Sequence, residues 1–346
     1  MVWNIIEFLT GLAFAGATLA DVFSSILVPG RASSPLRVIT RLRQLSLPAW
    51  RFLSRWRDGR RQRLSNSFAP LLFSFAFIGW LALLCLGFAL MLHACASFFT
   101  PPLRGLGQAL YVAGAYLLTV GTNEVQPHGF VRVLLLFGAL SGFGVITATI
   151  TFILEIQSNL HERETGVLKL NGLTGNPPSG IGLLETLASL NLKRDLTGFF
   201  KDWAHWSASV MNSHVSFPVL VYFHSVGSES DWVTALQLML DAATLVMELT
   251  EEESAGAAAY MHRAGSRTAA HLCDLFHQQS EFSEELDEQV LAALVERLKS
   301  AGYDVRAPDS DRLRRFIDLR SDYAGRLNAL AKHLGSGHCP LLPQSA

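Results

Sequence analysis

The sequence predicts an all-α membrane protein: three transmembrane helices with a short re-entrant helix and loop, followed by an all-α cytoplasmic bundle. Three observations lead there. Apolar stretches at roughly 3–28, 68–98 and 130–157 each reach the about 20 residues that cross about 30 Å of hydrocarbon. A fourth stretch, 105–118, lies between the last two and is too short to cross, since 14 residues rise only about 21 Å. From 183 onward, apolar residues recur three or four apart with few strand-like runs. The domains expected are a first span over 1–30, an Arg-rich loop over 31–65, a module of two spans and the short helix over 66–157, a linker over 158–182 and a helical domain over 183–346.

Composition agrees with a membrane part joined to a soluble part. Half of the 346 residues are apolar and 16% are charged, with a positive mean hydropathy. Residues 1–157 carry 12 Lys/Arg against 5 Asp/Glu, whereas 158–346 carry 16 against 24. A basic half suits anionic lipid and an acidic half does not seek nucleic acid, so no nucleic-acid partner is expected. Residues 3–28 lack a basic leader and run long, which reads as a retained helix. The four cysteines, Cys85, Cys95, Cys273 and Cys339, show no metal-ligand spacing and read as buried or free thiols.

Between the first two spans, residues 31–65 hold ten arginines and one acid, Asp58, which places that loop in the cytoplasm by the positive-inside rule. The first span then starts outside, the second runs outward, the third returns, and the C-terminal half is cytoplasmic. Apolar residues such as Leu36, Trp50 and Trp56 interleave with the arginines. Such a pattern fits an amphipathic segment on anionic lipid, either as a topology anchor or as a lipid sensor. Within the first span Asp21 is an intramembrane acid, a functional candidate that Arg31 or Arg37 could pair, while Glu7 reads as interfacial. His93, near the outer end of the second span, reads as a hydrogen-bonded packing residue or a pH sensor.

A helix that enters the membrane and turns back exposes irregular backbone at depth. That is tolerated only inside protein or beside water. The turn after 105–118 reads Thr119-Val120-Gly121-Thr122-Asn123-Glu124, then Pro127 and the third span. Outer helix, short helix, T-V-G-x-x-acid, Pro and inner helix resemble the pore module of the potassium-channel family over about residues 66–157. The resemblance implies a bacterial inner-membrane cation channel in which potassium passes backbone carbonyls in a homotetramer. Carried over by position, Thr119, Val120, Gly121, Thr122 and Asn123 form the ion-binding filter, Glu124 the outer mouth, and Gly142 or Gly144 a gating hinge in the inner helix. Close packing through small residues is the other reading of those glycines.

Two residues depart from the family pattern. Thr122 stands where an aromatic braces the filter and Asn123 where a second glycine usually sits, although Asn tolerates a left-handed backbone. Leu118 and Ala115 replace polar residues that tie short helix to filter. The alternative function is therefore a nonconducting membrane receptor or scaffold that retains the pore architecture.

In the C-terminal half, 166–182 is rich in Gly and Pro and lacks a phosphate-cradle spacing. Six helical segments are expected over 183–334, capped at Ser228 or Ser230, at Ser283 and at Asp309 to Asp311. Phe217, Val219, Tyr222, Trp232, Leu236 and Leu240 are expected to be buried. Residues 213–247 look like a passage in the soluble tails of bacterial two-pore-domain-type potassium channels. Asp241 and flanking acids argue that the apolar run 235–247 is a soluble core helix and not a fourth span. His205, His214, His224, His262, His271 and His277 form no catalytic or metal-binding pattern, so neither enzyme activity nor a cofactor is expected.

Overall fold

A computed structural model of the chain describes residues 2–26, 41, 68–175, 177–223, 231–278, 286–307, 309–334 and 341–342. Apart from Arg41, the Arg-rich loop lies outside the described residues, as do His224, Ser228, Ser230, Ser283 and Cys339. The chain is mostly helical and divides into two compact units, Met1–Gln157 and Ser158–Ala346.

The first unit contains α1 (Val2–Ile26), α2 (Phe68–Ala94), the short α3 (Leu106–Leu117) and the start of α4 (Val131–Asn171). A two-residue ladder joins β1 (Phe99–Thr100) to β2 (Gln126–Pro127), antiparallel, with Phe99 opposite Pro127 and Thr100 opposite Gln126. That ladder brings together the two chain ends that enter and leave the α3 hairpin. On α1 the buried positions are Gly11, Ala15, Thr18, Asp21 and Val22, one face of a helix. On α4 they are Val131, Leu135, Gly138, Gly142, Val145, Thr149, Phe152 and Ile156, a stripe repeating every three or four residues. The rest of that surface is also apolar: Leu136, Phe137, Leu140, Phe143, Ile150 and Leu154 are exposed, as are Trp3, Ile5, Leu9 and Phe23 on α1. A soluble monomer rarely leaves so much contiguous apolar surface in water. These helices are long and apolar enough to cross a bilayer.

Close backbone approach fixes the α1–α2 pair. A Cβ on Gly11 would lie 2.5 Å from the Gly87 carbonyl oxygen, and one on Gly87 would lie 2.9 Å from the Ala15 amide nitrogen. Apolar helices surrounded by lipid associate through such small-residue contacts because van der Waals packing replaces the hydrophobic drive.

The second unit is built around α7 (Trp232–Leu249), on which all but Met247 and Glu248 are buried. Packed on it are α5 (Gly180–Ser189), α8 (Ala255–Leu275), α10 (Ser310–Ser321) and α11 (Ala324–Leu334). Further out, α6 (Leu196–Ser216) packs on α8, and α9 (Glu288–Ser300) on α5. Trp232, Leu236 and Leu240 are buried as expected, Phe217 is half-buried, and the side chains of Val219 and Tyr222 lie outside the described residues.

Several sequence expectations are corrected here. The residues assigned to a linker from 158 continue α4 as helix to Asn171, because Gly166, Val167 and Leu170 are buried in the second unit. At Gly166 an indole lies so close that a Cβ would be 2.2 Å from Trp206 Nε1. The last expected helix is two, α10 and α11, separated by a turn at Asp322 and Tyr323. Asp231 caps α7 by accepting the Thr234 amide at 2.9 Å. Asp287 caps α9 in the same way through Val290, so that helix starts after 287 and not at 284. The Asp309 cap is as expected, through Arg312 N–H at 2.7 Å.

Candidate functional site

The site is the turn that follows α3. Twelve helical residues rise about 18 Å, short of a crossing. Arg104 starts the helix by donating its amide to Gln108 Oε1 at 2.9 Å. Ala109, Val112, Ala113 and Leu117 bury one face of it, and α2 packs against the helix.

At its C-terminal end the chain reverses sharply. Thr119 has φ 59° and Gly121 φ 71°, so left-handed residues bracket Val120. A threonine resists that conformation and holds it only when its surroundings impose it. Here the imposing contacts are backbone bonds. The amides of Leu118 and Thr119 donate to the carbonyls of Gly114 and Tyr116 at 2.9 Å each, and those of Val120 and Gly121 both donate to Ala115 at 2.8 and 3.0 Å. The donors of the turn are thus consumed by the helix end. Among the described residues, no hydrogen bond reaches the carbonyls of Thr119, Val120, Gly121 or Thr122. A run of accepting oxygens with no donor, beside the negative end of a helix dipole, is a place for a cation.

Around the turn, Val125 is buried while Val120, Asn123 and Glu124 are exposed. The Thr122 hydroxyl accepts the Glu124 amide at 3.2 Å. Thr100 Oγ1 and His128 Nε2 lie 2.8 Å apart across the base of the hairpin.

The glycines of α4 differ in their surroundings. A Cβ on Gly142 would stand 2.0 Å from the Leu117 carbonyl oxygen, and the carbonyl carbon and Cα of Leu117 are within 3 Å of the same point. Gly142 therefore lets α4 touch the end of α3 just before the turn. Gly144 faces open space, and Gly138 meets the Phe88 ring.

Of the acids in α1, Asp21 is fully buried and Trp80 Nε1 donates to its Oδ2 at 2.7 Å. Arg31 and Arg37 lie outside the described residues. His93 Nδ1 and Glu7 Oε1 are 2.7 Å apart, which supports the hydrogen-bonded reading of that histidine and ties α1 to α2. Both residues stand out in the sequence at matching ends of antiparallel helices, so their pairing was within reach of sequence reasoning.

Arg163 carried no such signal. On the α4 extension it is 2% exposed: its guanidinium donates to the carbonyls of Leu220 at 3.0 Å and Phe223 at 2.7 Å, and to Glu164 Oε1 at 2.9 and 2.7 Å. The Trp232 ring centre lies 5.9 Å away and His214 Nε2 3.4 Å. His214 Nδ1 is 2.8 Å from the Val210 carbonyl, so Nδ1 carries the proton and Nε2 presents its lone pair to the guanidinium. Burial first, and then the Arg163 charge, lower the His214 pKa from 6.5 to about 3. Because the folded value lies below the unfolded one, this stabilisation is complete above pH 6.5 and is lost as pH falls toward 3. Between pH 7 and 5 the second unit is expected to lose about 2 kcal/mol through this residue. Thermal melts of wild type and His214→Gln over that range check it; an equal slope in both would refute the assignment.

A second buried charge network closes the bundle. Asp241 Oδ1 accepts from Arg320 Nε at 3.1 Å and from the Tyr323 hydroxyl at 2.7 Å, with Thr244 Oγ1 3.3 Å from that hydroxyl. Burial, and then the neighbouring carboxylate, push the Tyr323 phenol well above its usual pKa. Of the other histidines, His262 is buried against the Leu319 carbonyl at 3.1 Å, and His205, His271 and His277 are exposed. Among the described residues no group of three His, Cys, Asp or Glu side chains converges as metal ligands would.

Comparison with protein-family models, with curated proteins and with solved structures found no match. What fold and site define together is a class: a mostly helical protein with several helices apolar enough to span a membrane.

Proposed function

We propose that the chain is a potassium-channel-like cation channel, assembled as a homotetramer in a bacterial inner membrane. One chain contributes one turn, and a closed ring of four such turns encloses an axis. The observation that carries this reading is the turn, where the amides of 118–121 bond back to Gly114, Ala115 and Tyr116 while the carbonyls of 119–122 are left without donors among the described residues. Carbonyls in that state replace the hydration shell of a monovalent cation. In this reading Thr119, Val120, Gly121, Thr122 and Asn123 line the ion path and Glu124 rings its outer mouth. α1, α2 and the apolar part of α4 cross the bilayer, α3 is re-entrant, and α7 stays in the water-soluble core that buries it. The Arg-rich loop lies on the cytoplasmic face against anionic lipid, and the C-terminal unit is cytoplasmic. Bending of α4 at Gly144, where no neighbour would obstruct it, opens the inner end, biased by the C-terminal unit.

One observation favours a second reading, a nonconducting scaffold with the same architecture. The Thr122 hydroxyl is engaged with the Glu124 amide, in place of an aromatic ring that would brace the loop against its surroundings. Potassium flux into liposomes separates the two. The channel reading expects flux from the wild type and sharper potassium selectivity from Thr122→Tyr/Asn123→Gly. An intact tetramer silent before and after that double change would establish the scaffold.

A further inference from the structure

One face of α8 is left uncovered by the second unit. The other side is buried: Ala258, Met261, His262, Gly265, Ala269 and Leu272 lie in the bundle, and Thr268 Oγ1 donates to the Ser207 carbonyl of α6 at 3.2 Å. Tyr260, Arg263, Arg267 and His271 stand on successive turns of the opposite side, all of them exposed. Gly256, Ala259, Ala264 and Ala270 among them are small, so the phenol, the two guanidinium groups and the imidazole set that surface.

That face is charged against the trend of its surroundings. The C-terminal half carries 16 Lys/Arg against 24 Asp/Glu, and Arg163, Arg297, Arg312, Arg315 and Arg320 each pair with a carboxylate. Arg306 and Arg326 donate to backbone carbonyls. Among the described residues Arg263 and Arg267 do neither. Arg194 and Arg314 also stand outside ion pairs, yet Asp195 follows the first, and Asp311 and Asp318 lie a turn to either side of the second. On α8 no acid occurs between Glu253 and Asp274, and two guanidinium groups four residues apart on one helix face repel each other. An anion from outside the fold removes that repulsion.

The chain brings such an anion with it. Ser158, the first residue of this unit, continues α4 directly from a stretch long and apolar enough to cross a bilayer, so a lipid surface is tethered to the unit. Tethering raises the effective concentration, and contacts too weak to recruit a free ligand then suffice. We propose that the exposed face of α8 rests on anionic lipid headgroups of the bilayer that holds the chain, with Arg263 and Arg267 on lipid phosphates and the Tyr260 ring between headgroups. A convex helix face meets a plane of phosphates, whereas a small anion is held by a concave site. Tyrosine favours the headgroup level, where one end of the ring is apolar and the other wet. Each basic side chain at such a surface strengthens association about fivefold. The inference needs the chain to lie in a bilayer and does not need the turn after α3 to conduct.

The full-length protein with the photo-crosslinker p-benzoylphenylalanine in place of Tyr260 tests it, in nanodiscs of phosphatidylcholine with and without phosphatidylglycerol. After irradiation, the intact mass is expected to show a lipid adduct in the anionic discs and about fivefold less or lower in the neutral ones. Arg263→Gln and Arg267→Gln, at exposed side chains outside the core, are each expected to cut the anionic-disc adduct about fivefold while leaving the melting midpoint in place. The same crosslinker in place of Ala292, exposed on α9, is expected to give an adduct that neither lipid charge nor these substitutions change. An adduct at 260 of equal yield in both kinds of disc, or one unaltered by both substitutions, would overturn the proposal. So would a cross-link to a second polypeptide in place of lipid, which would mark a protein contact. A chain that does not enter the discs would overturn this inference and the membrane reading together, whereas a silent chain that gives the expected adducts would sink conduction alone.

Discussion

Arg163→Met is expected to lower the unfolding midpoint of the C-terminal unit by about 10 °C and to open residues 158–171 to hydrogen exchange. Methionine fills much of the volume but takes the guanidinium donor from the carbonyls of Leu220 and Phe223, the first keeping only the Phe223 amide, and leaves Glu164 without its cation. Breaking a buried charge and its hydrogen bonds from one side costs about 3–5 kcal/mol. For a unit of this size each kcal/mol moves the midpoint about 2–4 °C. If the chain conducts as proposed, potassium flux should change in parallel, because α4 reaches Asn171 as one helix and Arg163 sits on it. Exchange and melting both unchanged would mean that the guanidinium is a bystander.

If the chain conducts as proposed, Gly142→Ala is expected to abolish flux and to destabilise the first unit, the effect on flux being the larger. The added methyl would meet three backbone atoms of Leu117, the nearest at 2.0 Å, and no rotamer change relieves a clash with backbone. Either α4 or the end of α3 must retreat by about 1 Å, and the turn at Thr119 moves with it. Gly144→Ala is the matched control, since its methyl would point into open space and helix propensity favours alanine. Its stability should be unchanged, while a change in its flux alone would mark bending at that position. Equal flux and stability in wild type and Gly142→Ala would show that the contact with Leu117 yields freely.

How far the sequence discloses this molecule depends on the range of the interactions involved. The apolar helices and the short helix were legible because length and hydropathy are local properties, and hydrocarbon thickness sets the threshold. The turn at 118–124 was legible as a motif. Its bonding to Ala115 was not, because a backbone carbonyl is present at every residue and alanine announces nothing. Residues 158–171 read as part of a linker since 166–182 is rich in Gly and Pro and shows little periodicity. Tertiary packing overrides that: Trp206, forty residues on, occupies the space that a side chain at 166 would fill. Asp241 could be read from sequence as unfit for a bilayer. Its partners, Arg320 and Tyr323, are about eighty residues distant, and no periodicity points to them.

That last network makes the C-terminal half all-or-none. The central helix stores a carboxylate that meets the Arg320 guanidinium when α10 arrives and the Tyr323 hydroxyl with the turn after it. A protease that clips the chain ahead of Arg320 strands an anion in the driest part of the bundle, and digestion then runs through to small peptides without pausing at a shortened core.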